Sequence, residues 1–357
     1  MISKNISKFY KNKKVLITGV TGFKGSWLAS FLLILGADVY GIASKKKKKN
    51  NLFYQLKLDK RINLKILDIR DLKKLKNYTK QIKPSLVFHF AGQTIIYESY
   101  KFPEKTFDIN SRGGLNILEV TRTSKFVKSL IITTSDKCYE SKKGSKGFKE
   151  GDRLGGVDPY SASKVSVEIM LKAYQESFFK KNSIGASSVR SGNVIGGGDW
   201  ASNRLIPDCI KSIKKNKTIF LRNPNFNRPW QFVLEPLKGY LILAKQQYQK
   251  PAKYTSCWNF GSEPNTVTSV KTIVKYFIDF WGKGNFSISK KKYYEQMNLQ
   301  LDISKAKKYL KWSPTHNIKN SVKISVDWYK RVLVKKENPI KVTEDQIRKY
   351  MHDSKIY

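Results

Sequence analysis

Thr134-Ser-Asp-Lys-Cys-Tyr-Glu140 sets a hydroxyl (Ser135), a carboxyl (Asp136) and an amine (Lys137) on three successive residues after an apolar run, and Tyr160-Ser-Ala-Ser-Lys164 follows closely. Residues four apart on a helix share a face, so Lys164 stands one turn from Tyr160. An ammonium there favours the phenolate of a tyrosine whose unperturbed pKa is about 10, which lets the phenol act as a base near neutral pH. Five proton-handling groups imply more than one proton transfer, which a simple dehydrogenase does not need. Alone, a Tyr-x-x-x-Lys pair is weak evidence, since the chain holds 19 tyrosines and 58 lysines, and the bland reading is an exposed helix turn. A second signature at the N-terminus changes that weighting.

Lys14-Val-Leu-Ile-Thr-Gly19 reads as a buried parallel strand, and Val20-Thr-Gly22-Phe-Lys-Gly25 turns it into a helix. Gly19 permits the tight turn, Gly22 lets the backbone approach a pyrophosphate, and Gly25 lets the helix pack on the sheet. The phosphates would meet the positive end of a helix beginning near Ser26. Helix Ser26–Leu35, Gly36 as its cap and strand Ala37–Ile42 complete a β-α-β unit. The second strand ends in Gly41-Ile-Ala-Ser44, without the acid that usually selects NAD through the ribose, and Lys45–Lys49 follows. The residues themselves leave NAD and NADP open.

Further elements come in the order such a fold needs. Leu64–Ile69 reads as a strand with Asp68 placed to meet an adenine, and Ser85–Gln93 as another that ends in the small residues Ala91 and Gly92 beside Gln93. His89 there is expected to pack at a strand end rather than to bind a metal. A helix near Glu104–Ser124 carries Asn110, and strand Ser129–Thr134 delivers the Ser-Asp-Lys run. Alternating strands and helices predict an α/β fold, a doubly wound parallel (Rossmann) sheet with its ligand at the carboxyl ends of the strands, followed by a smaller C-terminal α/β substrate-binding domain.

Taken together, Thr18-Gly-Val-Thr-Gly-Phe-Lys-Gly-Ser-Trp27, Thr134-Ser-Asp-Lys-Cys-Tyr-Glu140, Asp158-Pro-Tyr-Ser-Ala-Ser-Lys164 and Gly192-Asn-Val-Ile-Gly-Gly-Gly-Asp-Trp200 resemble the CDP-glucose 4,6-dehydratases, a branch of the extended short-chain dehydrogenase/reductases. Arg204-Leu-Ile-Pro207, Arg228-Pro-Trp-Gln231 and Trp258-Asn-Phe-Gly261 extend the resemblance over residues 12 to 332. The related TDP-glucose dehydratases carry Thr-Asp-Glu where this chain has Ser-Asp-Lys. Three features depart from the pattern: Val20 and Phe232 stand where the family shows histidine, and Thr94-Ile-Ile-Tyr-Glu98 lacks paired arginines.

The resemblance implies a lyase that removes water from CDP-glucose to give CDP-4-keto-6-deoxyglucose, with NAD as cofactor. Tyr160 would take the 4-hydroxyl proton with Lys164 beside it, Ser135 would bond the 4-oxygen, Asp136 would be the acid at the C6 oxygen and Lys137 the base at C5. A lysine serves as base only when neutral, a form that burial and a nearby cation favour. Cofactor contacts are implied at Gly19, Thr21, Gly22, Phe23, Lys24, Gly25, Asp68, Ile69, Ala91, Gly92, Gln93, Asn110, Tyr160 and Lys164. Ser135, Asn193, Arg204, Arg222 and Arg228 would hold the nucleotide-sugar, arginine gripping phosphate oxygens as a planar fork. No metal is implied. Residues 1–190, completed by a segment near 230–262, would bind NAD, 191–335 the nucleotide-sugar, and 336–357 would form a polar tail with a short helix near Glu344–Met351. An epimerase, or a dehydratase of another nucleotide-sugar, is the alternative; epimerases need no Asp-Lys elimination pair. A non-catalytic cofactor-sensing protein commonly lacks the Tyr or the Lys, and both are present.

A net charge of +42 over 357 residues suggests a polyanion partner. Yet only 11 of the basic residues are arginine, the lysines are spread along the chain, and no nucleic-acid module is recognisable. No specific nucleic-acid partner is expected, and Lys45–Lys49 reads as a solvated loop. Gly36 and Asp38 interrupt the apolar run Trp27–Ala43, so no membrane span is expected. Met1–Lys14 lacks an apolar core, which points to a cytoplasmic protein. Cys138, Cys209 and Cys257 are unclustered, which indicates neither a disulfide frame nor a zinc site, and Cys138 is expected to pack. A homo-oligomer, dimer or tetramer, is expected by family resemblance.

Overall fold

The computed structural model describes residues 6–44, 50–140, 147–263, 266, 268–288 and 300–356. The Lys45–Lys49 run lies outside them. Seven parallel strands form one sheet: Lys14–Thr18 (β1), Asp38–Ala43 (β2), Asn63–Ile66 (β3), Leu86–His89 (β4), Ser129–Thr133 (β5), Gly185–Ser191 (β6) and Cys257–Phe260 (β7). Their spatial order is β7-β6-β5-β4-β1-β2-β3, with Val15 in register with both Val39 and Leu86. A strand covered on both faces must be apolar throughout, and β1 is buried from Val15 onward, β4 along its length and β5 over its first four residues.

Helices cover both faces. Phe23–Ile34 (α1) and Leu234–Gln249 (α3) bury Trp27, Phe31, Leu237 and Leu241 in one core, while Pro159–Tyr174 (α2) sends Val167 and Leu171 into the other with Ile117 and Leu118. The expected helix near 104–124 runs from Pro103 to Thr123, with a wider turn at Asp108–Arg112 that includes Asn110. Beyond β6 the ladders shrink to two or three residues: Val194–Ile195 with Gln231–Phe232, Asn227–Arg228 with Thr268–Ser269, and Ile219–Leu221 with Phe286–Ile288.

Three boundaries differ from the sequence reading. α1 begins at Phe23, not near Ser26, because the Gly22 N–H closes on the Gly19 carbonyl at 2.9 Å and the chain enters the helix at once. β3 ends at Ile66, which leaves Asp68 and Ile69 in a turn: Asp68 Oδ1 accepts the Arg70 N–H at 3.0 Å and its carbonyl accepts that of Asp71. The segment expected as a polar tail forms a 15-residue helix, Pro339–Asp353 (α4), polar on one face only. Its other face buries Val342, Ile347 and Tyr350 against α1 and Phe232, each worth about 1.5–3 kcal/mol of burial. The fully buried Glu235 carboxylate fixes α4 there, accepting from Thr315 N, His316 N and the Tyr350 hydroxyl at 2.8, 2.9 and 2.6 Å. No helix of the described residues is long and apolar enough to cross a membrane.

Candidate active site

β5 stops at Thr133, and the chain leaves its carboxyl end in a single tight turn, Asp136–Cys138, capped by the Ser135 hydroxyl accepting the Lys137 N–H at 3.2 Å. The same hydroxyl donates to Asp136 Oδ1 at 3.0 Å. Asp136 is buried, and among the described residues no group bonds its Oδ2. Burial pushes its carboxyl pKa up, against the charges of Lys137, Arg228 and Lys24 and the Ser135 hydrogen bond. A carboxyl that stays protonated to higher pH, with one oxygen unengaged, has the properties of a general acid.

Asp158 opens α2 by accepting the Ser161 N–H at 2.9 Å, and Pro159 occupies the first helical turn. Tyr160 and Lys164 therefore both point inward, and both are buried. Burial raises the Tyr160 phenol well above its ordinary value, and the largest opposing influence is a hydrogen bond with Ser135. Lys164 Nζ donates instead to the Thr133 carbonyl at 3.2 Å. The pairing expected from the i, i+4 spacing is thus indirect, with Ser135 on the phenol and Lys164 on the end of β5. Burial lowers the Lys164 pKa to about 8, with Cys138 and Glu168 acting in the opposite sense.

The dinucleotide turn leaves no room for side chains. Gly19 has φ +71°, and a Cβ on it would lie 2.6 Å from Ala91 N; one on Gly25 would lie 2.5 Å from the Gly19 carbonyl. A Cβ on Gly92 would meet Asn110 Oδ1 at 2.9 Å and Lys164 Nζ at 3.2 Å, so the chain after β4 approaches Lys164 closely. This crevice lies where the strand order reverses, between β1 and β4, with the N-terminus of α1 facing it, and its bare backbone fits a dinucleotide pyrophosphate. Thr21 is buried, and Phe23, Ala91 and Gln93 are half-buried along the same turns. Asn110 spends its amide on the fold, donating to the Gln93 carbonyl (3.0 Å) and Ser163 Oγ (2.9 Å) and accepting the Gln93 N–H (2.8 Å). The Asp68 carboxylate accepts Arg70 Nη2 at 2.6 Å, and the Ile69 carbonyl accepts Asn116 Nδ2 at 2.9 Å. Lys24, expected among the cofactor contacts, also has a partner across the sheet. Its ammonium bonds Ser191 Oγ at 2.7 Å, and burial lowers its pKa to about 8 despite Asp136.

On the substrate side, Arg228 is buried and its charge acts on Asp136, while Arg204 pairs with Asp199 at 3.0 Å and acts on Tyr160 and Lys24. Arg222 lies farther out, bonded to Asn203 Oδ1 at 3.0 Å and facing Asp208. Asn193 is half-buried, and its carbonyl accepts the Gln231 N–H at 3.0 Å. Val20 and Phe232 are fully buried; Phe232 stacks edge-on with Trp27 at 5.9 Å, so both departures from the family pattern fall at packing positions. His89 bonds Thr18 Oγ1 at 2.7 Å inside the core, and burial with Lys164 lowers its pKa to about 3. Burial pushes Cys138 up to about 12, as a packed thiol requires. Among the described residues no His, Cys, Asp or Glu cluster could hold a metal ion.

The site has a buried support that the motifs did not reveal. Glu168 and Arg190, each under a tenth exposed, form an ion pair at 2.8 Å behind the Ser-Asp-Lys turn, joined to Tyr139 and Asn259. The available signal was Glu168 itself, an acid four residues past Lys164 on the inward face of α2.

Residues 16–325 match the family model described as GDP-mannose 4,6 dehydratase. The chain is 38% identical to CDP-glucose 4,6-dehydratase of Salmonella typhimurium over 98% of this chain and 99% of that one. It is 26% identical to GDP-mannose 4,6 dehydratase 1 of Arabidopsis thaliana, with 90% and 91% covered. Among solved structures, dTDP-glucose 4,6-dehydratase from Bacillus anthracis in complex with NAD has a TM-score of 0.76 at 19% identity, covering 89% of this chain and 97% of that one. UDP-glucose 4-epimerase of Thermotoga maritima with UDP-glucose has a TM-score of 0.77 at 20% identity, with 90% and 99% covered.

Proposed function

The chain belongs to the GDP-mannose 4,6-dehydratase family of nucleotide-sugar enzymes, and from that premise we propose that it dehydrates CDP-glucose to CDP-4-keto-6-deoxyglucose with NAD as its cofactor. The observation that carries this reading is Asp136, a buried carboxyl with a raised pKa and an unengaged oxygen beside Tyr160, Ser135 and Lys137. Oxidation and re-reduction at one carbon, as in epimerisation, need no such acid.

Gly19, Thr21, Gly22, Phe23, Lys24, Gly25, Asp68, Ile69, Ala91, Gly92, Gln93 and Asn110 form the cofactor side in this reading, Lys24 reaching past the turn toward Asp136. When bound, the nicotinamide supplies reversible hydride transfer, which turns C4 into a ketone and later reduces C6. Tyr160 takes the 4-hydroxyl proton, with Ser135 holding the 4-oxygen and Lys164 adding positive charge that favours the phenolate. The C4 ketone acidifies the C5 hydrogen, which Lys137 removes while Asp136 protonates the departing C6 hydroxyl. Water leaves; as C6 is reduced, Lys137 returns to C5 a proton exchanged with solvent, and the proton held by Tyr160 passes through solvent to Asp136, which restores the starting state. Arg228 and Arg204 grip the diphosphate with Asn193, and Arg222 lies at the outer rim. Residues 1–190 with the segment near 230–262 form the NAD unit, and 191–335 the nucleotide-sugar unit.

The reading also places the enzyme in the cytoplasm as a homo-oligomer. The exposed Tyr97, Tyr100, Phe102, Phe107 and Leu115 along residues 96–123 support the assembly, and sedimentation at a single monomer mass would refute it. The decisive experiment incubates the protein with NAD and CDP-, TDP-, GDP- or UDP-sugars in heavy water. Expected is a 4-keto product from CDP-glucose carrying deuterium at C5, without net reduced cofactor. An unlabelled C5, or a C4 epimer as product, overturns the proposal.

A further inference from the structure

Thr134 and Tyr139 bracket the Ser135–Lys137 turn, and one buried ion pair holds both. Glu168 Oε1 accepts the Thr134 hydroxyl at 2.5 Å and Arg190 Nε at 2.8 Å; Oε2 accepts the Ser188 hydroxyl at 2.6 Å and Arg190 Nη2 at 2.9 Å. The other arm of Arg190 donates to the Tyr139 hydroxyl at 2.7 Å and the Glu150 carbonyl at 3.3 Å. Tyr139 in turn donates to Asn259 Oδ1 at 2.7 Å and stacks on Phe148 with ring centroids 4.9 Å apart. Asn259 closes the network by donating to the carbonyls of Phe148 and Asp302 at 2.8 and 3.2 Å.

We propose that Glu168 and Arg190 are positioning residues for the elimination step, a clamp that fixes the Ser135-Asp136-Lys137 turn at both ends while Glu168, one turn along α2 from Lys164, sets a negative charge on the same face. This deepens the dehydratase reading and rests on it for the activity part of the test. A buried ion pair is weak evidence of stability, since desolvation offsets much of the attraction. A structural role alone would be satisfied anywhere along α2. Here one carboxylate accepts four hydrogen bonds, three from Ser188 and Arg190 on β6 and one from Thr134 in the segment before the turn. Burial would raise the Glu168 carboxyl, yet Arg190 and the Ser188 and Thr134 hydroxyls hold it below its ordinary value, so the charge persists. That charge acts on Lys164 in the direction opposite to burial.

Three variants test the clamp. Thr134→Val removes one anchor with little change of shape and leaves the ion pair intact; Tyr139→Phe removes the other and keeps the stack on Phe148. Each should lower kcat about tenfold or more with KM within about twofold, and loss of the C5 proton should slow more than single-turnover oxidation at C4, because Asp136 and Lys137 both serve the elimination and Ser135 alone of the turn serves the oxidation. Glu168→Gln removes the charge, and the pH midpoint for acetic anhydride labelling of Lys164, read by peptide mass spectrometry, should fall from about 8 by roughly one unit. Should that variant not fold, the kinetics of Thr134→Val and Tyr139→Phe still decide the clamp. Parent-like kcat in both anchor variants overturns the proposal, and so does an unmoved Lys164 midpoint. If the parent itself is inactive on CDP-glucose the dehydratase reading fails, while the labelling midpoint still decides the role of Glu168.

Discussion

At the Gly19–Gly25 turn the protein presents bare backbone to the cofactor crevice, and beyond β6 the proposed reading has it meet phosphate with arginines. The first region is closed: Cβ atoms added at Gly19 and Gly25 would lie 2.6 and 2.5 Å from main-chain atoms. The second is built on ladders of two or three residues and side chains such as Arg204, whose guanidinium arm is 39% exposed. Main-chain recognition has no tolerance because the atoms that would clash cannot move aside. Side-chain recognition can be adjusted one residue at a time, and that is where nucleotide and sugar preference can change without disturbing the cofactor crevice.

The largest test of this contrast is Gly25→Val. It should lower NAD affinity more than about 100-fold by titration calorimetry, roughly 2.7 kcal/mol, and depress Tm. Binding within tenfold of the parent would mean the turn yields, and the contrast would lose its basis. Next is Lys137→Met, at the seam between the two regions. It should leave C4 oxidation intact in a single turnover and slow loss of the C5 proton by about 10²–10⁴, the usual cost of a lost general base. Normal C5 exchange would remove Lys137 from that role and favour Asp136 or a water it holds.

Smaller effects grade the arginines. Arg228→Met should raise KM about tenfold or more, since a charge-assisted hydrogen bond contributes about 1.5–3 kcal/mol. Arg222→Met should stay within about twofold, because Asn203 and Asp208 already occupy that side chain. Equal effects would place the diphosphate farther out than the buried Arg228. The smallest change in activity is expected from Phe232→His: kcat/KM within about twofold and a lower Tm, because a ring packed on Trp27 and Tyr350 becomes polar. A gain above about tenfold would show that a polar contact can be made there.

The closed region was the more legible one. Glycine spacing, continuous apolar strands and an i, i+4 Tyr–Lys pair are local signals, each with one steric or geometric cause. The groups that escaped depend on distant partners. Lys24 sits inside a glycine motif that draws attention to the backbone, and its destination, Ser191, is on β6. Glu168 becomes meaningful only beside Arg190, which the sheet brings to it from the neighbouring strand. The shared face of Tyr160 and Lys164 was legible from spacing, but helical periodicity fixes the face and not which carbonyl an ammonium finds, here that of Thr133. Asp68 lies past the strand expected to carry it, since β3 stops at Ile66 and the Asp68 side chain accepts the Arg70 N–H in the turn that follows. At the C-terminus a helix was legible near Glu344–Met351, but its full length and its packing were not, because its apolar residues occupy one narrow face among polar ones.

That segment has a consequence in time. The ribosome delivers α1 early, yet one side of its packing is supplied by α4, from a segment made long afterwards. During the interval the cofactor helix lacks that cover, and Phe232 lacks Tyr350. Vectorial synthesis therefore cannot finish the cofactor half on its own; its last stage must follow emergence of Pro339–Asp353, and a nascent chain stalled before that point presents apolar surface to chaperones.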